Sequence, residues 1–161
     1  MQLKLVKIHF IDLSSLDIEV RINNTFILHR NIMPLPVLIC DDSNLARKQI
    51  ARSLPKDWDI SVSFAENGKI GLECIQHGKG DIVFLDLNMP VMDGYQVLEA
   101  IQKADLPAIV IVISGDVQPE AHARVRELGA LDFIEKPINN EKLTTILEQY
   151  GIYKVGSHNS L

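Results

Sequence analysis

Asp41-Asp42, Asp86, Ser114 and Lys136 each stand where a short apolar run stops: Val37 to Cys40, Ile82 to Leu85, Ala108 to Ile113 and Leu131 to Glu135. Such runs, closed by polar or breaking residues, read as buried parallel strands, and the residue after each lies at a strand's carboxyl end. A carboxylate at the rim of a core is costly to leave unpaired and invites a cation, a metal or a covalent role. Asp86 alone, followed by Asn88, Pro90, Asp93 and Gly94, reads equally well as a cap or turn residue. If the strand ends converge, Asp41, Asp42 and Asp86 repel one another, and each raises the pKa of the others unless positive charge is supplied. Lys136 is one such charge and is not enough. A donor set made only of oxygen selects a hard divalent ion such as Mg²⁺, which keeps waters and bridges to phosphate. The chemistry expected is therefore that of a phosphoryl group, either bound from a ligand or transferred onto a nucleophile. Asp86 is the carboxylate placed to attack, with Ser114 donating to one phosphoryl oxygen and Lys136 neutralising another.

The elements that must position these residues follow in order from Pro36. The pattern predicts strands over 37–40, 60–65, 81–85, 108–113 and 131–135. Helices are expected over 43–54, after the Glu66-Asn67-Gly68 turn, and over 95–104, 119–128 and 140–150. Leu45, Ile50 and Leu54 are expected on the inward face of the first helix, Pro107 ends the third, Gly129 closes the fourth and Asn139 caps the last. Five β/α units in alternation predict one doubly wound, five-stranded parallel sheet. In the order 2-1-3-4-5 the first and third strands meet at the switch point, bringing Asp41, Asp42 and Asp86 together.

Composition narrows the function classes. With 161 residues, 47% hydrophobic and 23% charged, the chain suits one globular domain with tails. A net charge of −5 without a Lys/Arg cluster argues against direct nucleic-acid binding. No segment is long and apolar enough for a membrane span, the amino terminus carries Lys4, Lys7 and Asp12, and a cytoplasmic location is expected. Cys40 and Cys74 read as small buried apolar residues rather than a disulfide. His9, His29, His77, His122 and His158 are scattered without ligand spacing and read as surface residues. Met89 and Met92 read as packing residues, and Trp58 as a half-buried loop anchor.

The expected domain plan is an extension over 1–33, a domain over 34–150 and a frayed polar tail over 151–161. Within the extension, Leu5 to Leu13, Ile18 to Ile22 and Thr25 to His29 are β-prone, with turn signals at Ser14-Ser15 and Asn23-Asn24. The extension is expected to be a loosely packed appendage, and Met33 followed by Pro34 reads as a second beginning.

Asp41-Asp42, the LDLNMPVMDG stretch around Asp86, Ser114-Gly115 and Lys136-Pro137, in this order at these strand ends, resemble the receiver domain of two-component response regulators over about residues 36–150. The resemblance implies a flavodoxin-like fold with Asp86 as phosphoacceptor. Asp42, Asp86 and the backbone carbonyl of Asn88 would ligate Mg²⁺, with Asp41 assisting through water. Ser114 is then the hydroxyl switch, Lys136 the phosphate cation and Phe133 the aromatic switch; Asn88 and Asp116 tune dephosphorylation, and the Lys136-Pro137 peptide is cis. It implies a histidine kinase as donor and an output partner on the fourth helix, fifth strand and fifth helix, with no dedicated enzyme activity beyond self-phosphorylation and self-dephosphorylation. Two departures stand out: Gly71 inside the second helix, a cost of about 1 kcal/mol, and Gly115 after the switch serine. With no effector pattern after Tyr150, a single-domain receiver like the chemotaxis regulators is expected, a fragment of a longer regulator being the alternative. An Mg²⁺-dependent phosphatase with an Asp nucleophile is the competing class. It would need a second acid near the nucleophile, where this chain has Asn88.

Overall fold

The structure is a computed structural model that describes the backbone of residues 17–22 and 25–30 and all of residues 33–155. The chain divides into two units, residues 1–34 and residues 35–161. In the first, β1 (Asp17–Ile22) pairs antiparallel with β2 (Thr25–Arg30), Asp17 opposite Arg30 and Ile22 opposite Thr25. Both strands coincide with β-prone runs in the sequence. The run at Leu5 to Leu13 lies outside the described residues, as do the side chains that would show how this unit packs.

The second unit holds β3 (Leu35–Cys40), α1 (Asn44–Ser53), β4 (Ile60–Ala65), α2 (Gly68–Gln76), β5 (Ile82–Leu85), α3 (Gly94–Ala104), β6 (Ile109–Ser114), α4 (Pro119–Glu127), β7 (Asp132–Glu135) and α5 (Asn140–Gln149). All five strands are parallel, in the order β4-β3-β5-β6-β7. Counted within this unit, that order is the expected 2-1-3-4-5. Alternate strand residues serve opposite faces. Leu38, Val83, Leu85, Val110 and Val112 join Val97, Leu98, Ala121 and Val125 in one buried cluster. Val37, Ile39, Phe84, Ile111 and Ile113 join Ile50, Leu54, Leu143 and Leu147 in the other. Side chains cap four helices: Ser43, Asn67, Asp93 and Asn139 each accept a backbone N–H three residues on, and Asp93 completes a capping box with Gln96.

Four sequence expectations need correction. Leu45 is 74% exposed, because five residues at about 100° each place it roughly 140° around the helix from buried Ile50. α3 is closed by Asp105 in the left-handed region, φ 48°, before Pro107 is reached. Tyr153 is no frayed residue: it is buried, donates its hydroxyl to Asp57 Oδ1 at 2.6 Å and sits edge-on to Trp58. Gly71, read as a helix defect, faces Cys40, and a Cβ there would come within 2.7 Å of Cys40 Sγ. That close approach of α2 to β3 explains the glycine. Cys40 and Cys74 are both free, and burial, with the nearby charge of Asp41, pushes the Cys40 thiol up to about 12, as suits an inert apolar residue.

Candidate functional site

Because β3 and β5 are neighbours, their carboxyl ends present Asp41 and Asp86 side by side, and β7 brings Lys136 to the same edge. Lys136 Nζ donates to Asp41 Oδ2 at 2.7 Å and to Asp86 Oδ1 at 3.0 Å. The two carboxylates are 1% and 5% exposed, so a single shared ammonium serves two buried anions. Asp41 Oδ1 accepts the Ser43 N–H at 2.8 Å, and Asp86 Oδ2 accepts the Asn88 N–H at 3.1 Å. Asp42 is exposed, yet one oxygen from each of Asp41, Asp42 and Asp86 lies within 4.8 Å of the others. Burial drives the Asp86 pKa up from its usual value, partly offset by the Lys136 hydrogen bond and charge. For Lys136, burial pulls the pKa down, but the hydrogen bonds to Asp41 and Asp86 outweigh it and the net shift is up.

This donor set fits a hard divalent cation. Three carboxylates face one ammonium, all donors are oxygen, and the Asn88 backbone is tied directly to Asp86. The excess negative charge predicts that Asp42→Ala raises the melting temperature of the metal-free protein modestly, by removing repulsion without uncovering a buried partner. The same change should weaken Mg²⁺ binding, followed by calorimetry. A sharp fall in melting temperature in EDTA would contradict this account.

Ser114 is fully buried at the end of β6, and its Oγ accepts the Asp116 N–H at 3.2 Å. Among the described residues no hydrogen bond joins it to Asp86. Asp116 is half-buried and accepts from the Gln118 N–H, while Asn88 is exposed. Phe133 is half-buried on β7, and the Lys136-Pro137 peptide is cis. Gly94 opens α3 against the site, where a Cβ would meet the Asp86 carbonyl oxygen at 2.4 Å. Only glycine lets the helix start so close to that strand end.

Two residues near the site escaped the sequence reading. Arg47, in the first turn of α1, donates to the backbone carbonyls of Asp41 at 2.6 Å and Asp42 at 3.3 Å and so clamps the acidic loop. A lone arginine one turn into the helix after the acid pair was a visible signal for it. His122, read as a surface histidine, instead stacks on Phe133 with ring centroids 3.8 Å apart, and its spacing carried no hint of that.

The family model described as the response regulator receiver domain matches residues 37–148. The chain belongs to this family. Among curated proteins, the receiver is 39% identical over 113 residues to a protein-glutamate methylesterase/protein-glutamine glutaminase of Koribacter versatilis, a match covering 69% of this chain and 31% of that protein. A counterpart from Geobacter sulfurreducens is 38% identical over 115 residues, covering 70% and 31%. The chain thus spans about a third of the length of the curated relatives it matches. Among solved structures, the response regulator domain of Thermotoga maritima CheB superposes with a TM-score of 0.65 at 25% identity, covering 76% of this chain and 99% of that one. The Vibrio cholerae chemotaxis protein CheY4 gives 0.63 at 27%, covering 70% and 95%. The receiver fold and a place in phosphorylation-dependent two-component signalling are therefore established. Among the described residues no helix is long and apolar enough to cross a membrane.

Proposed function

We propose that Asp86 accepts a phosphoryl group from the phosphohistidine of a histidine kinase, with Mg²⁺ bound, and that the modified protein presents an altered surface to an output partner. The observation that carries this reading is the single Lys136 ammonium shared by two buried carboxylates at the switch point. Asp42, Asp86 and the Asn88 carbonyl would hold the cation, with Asp41 beside them. The ion would supply charge neutralisation across the phosphoryl oxygens. An Asp86 carboxylate oxygen forms the new P–O bond as the P–N bond of the donor breaks, and the imidazole leaves with its electron pair. Lys136 already lies on Asp86 Oδ1 and can follow the incoming charge, while Ser114 offers a hydroxyl one strand away. Acetyl phosphate with Mg²⁺ should add one phosphoryl group, labile to hydroxylamine. A mass unchanged under those conditions would refute the reading. The phosphatase class lacks its second acid, since Asn88 stands where a proton donor would be needed.

The output face proposed is α4, β7 and α5. It carries a groove of about 470 Å³ lined by His122, Phe133, Glu135, Glu141, Lys142 and Ile146. Phosphate at Asp86 would draw the Ser114 hydroxyl inward and vacate space for the Phe133 ring. Beryllofluoride with Mg²⁺ should accordingly change hydrogen-exchange protection between Gly115 and Phe133, and unchanged protection there would break the coupling. Asn88, exposed, and Asp116, half-buried, flank the approach of water, and an amide and a carboxylate at those places can orient it in line. The phosphoryl group should therefore decay quickly, and Asn88→Arg should prolong it several-fold through occlusion and added charge. Slow decay in the parent, unaltered by that change, would point to a long-lived switch instead.

A second reading is favoured by the coverage of the relatives: the receiver would be the regulatory part of a longer protein with an effector of its own. An immunoblot of the native protein at a mass well above 18.1 kDa would establish it.

A further inference from the structure

We infer that His122 is the positioning residue of the switch: its imidazole holds the Phe133 ring in the resting position and ties α4 to β7 until the ring moves. The inference rests on the proposed role of Phe133 and adds the element that opposes its movement. Phe133 pairs with Val112 across β6 and β7, and Ser114 pairs with Glu135. Phe133 and Ser114 therefore lie on the same face of the sheet, two residues apart in register, beneath α4. His122 reaches down from α4 and stacks on the Phe133 ring at 3.8 Å between centroids and 26° between planes. Its Nε2 lies 3.7 Å from Glu135 Oε1, two residues farther along β7. One side chain thus engages both residues flanking Ile134.

Besides this stack, α4 is tied to α3 by Arg124, which lies 4.1 Å from the centre of the Tyr95 ring and 3.5 Å from Glu99 Oε1. Among its residues only Ala121 and Val125 are buried, and its amino end has no side-chain cap. The stacked pair borders open space on one side, the groove toward α5, and on the other a recess of about 10 Å³, too small for a ring, lined also by Val125, Arg126, Ala130 and Asp132. A half-buried ring with free volume beside it stays put only if a contact selects its position, and the His122 imidazole is that contact. An inward Phe133 must break the stack, so the stack biases the receiver toward its unactivated form, and removing it shifts the population toward the activated one.

The test uses the full chain. Phosphorylation by acetyl phosphate with Mg²⁺ is timed for the parent, His122→Ala, His122→Phe and Glu135→Gln. Fluorine NMR of 4-fluorophenylalanine-labelled protein, with the Phe133 signal assigned through Phe133→Leu, reads the ring before and after beryllofluoride. His122→Ala should phosphorylate roughly threefold to tenfold faster, the population shift expected from losing one aromatic pair. Its Phe133 signal should move toward the activated position without beryllofluoride. His122→Phe, which keeps a stack and loses only the contact to Glu135, should return the rate close to the parent's, and Glu135→Gln should change the rate less than His122→Ala does. Equal rates in the parent and both His122 variants would overturn the inference, as would a faster rate that His122→Phe fails to restore. Failure of the underlying reading looks different: the parent itself would take up no phosphoryl group, or its Phe133 signal would ignore beryllofluoride.

Discussion

A protein carrying Asp86→Asn is expected to gain no phosphoryl group from acetyl phosphate and Mg²⁺, where the parent gains one. The amide is close in size to the carboxylate and can still meet Lys136, so the fold should persist. What it lacks is a nucleophilic oxygen bearing charge, and the barrier then rises beyond any useful rate. Burial already raises the Asp86 pKa, so replacing it with a neutral group should also remove a desolvation cost in the metal-free state. Mass spectrometry reads the first effect and thermal unfolding in EDTA the second. Undiminished labelling of the variant would move the acceptor to another residue and dismantle the site assignment.

The second large effect is expected from Lys136→Met. Asp41 and Asp86, 1% and 5% exposed, would lose the ammonium they share, and an uncompensated buried charge costs about 3–5 kcal/mol. The lower end applies here, because the Lys136 side chain is 30% exposed and protonation of Asp86 limits the loss. For a domain of this size the melting temperature should fall on the order of 10 °C in EDTA. The deficit has a definite pH dependence. In the variant the folded-state pKa of Asp86 is raised further, so its stabilising contribution is present at acid pH, below the ordinary aspartate value, and is lost as pH rises through the raised one. Mg²⁺ should restore part of the loss at neutral pH. A variant as stable as its parent in EDTA would mean that Lys136 carries no net electrostatic duty in the fold.

Much of this architecture was legible because its signals are local. β5 is four apolar residues, all buried, stopped by Asp86, and strands of that kind announce both their type and their polar end. Helix starts were legible for the same reason, since Ser43, Asn67, Asp93 and Asn139 each cap within three residues. Three of the misses are questions of who meets whom in space. Gly71 looked like a defect until Cys40 was found against it, Tyr153 like tail until Asp57 and Trp58 closed over it, and His122 like surface until Phe133 lay beneath it. No spacing along the chain encodes those pairings. Leu45 was missed differently: the apolar period was applied one step too far, onto a residue well round the helix.

The unequal anchoring of α3 and α4 has a mechanical consequence. α3 begins hard against the Asp86 carbonyl at Gly94, with a capping box and with Gly94, Val97, Leu98 and Ile101 buried; α4 has two buried residues and no side-chain cap. On the face of the sheet that both helices cover, the end of β5 therefore abuts the more deeply anchored helix directly, while the less anchored α4 is held to it through Arg124 on Glu99 and Tyr95. Under the proposed phosphorylation of Asp86, displacement would follow the softer path, so the direction in which the signal leaves the pocket would be set by the relative stiffness of two helices, before any partner is present to receive it.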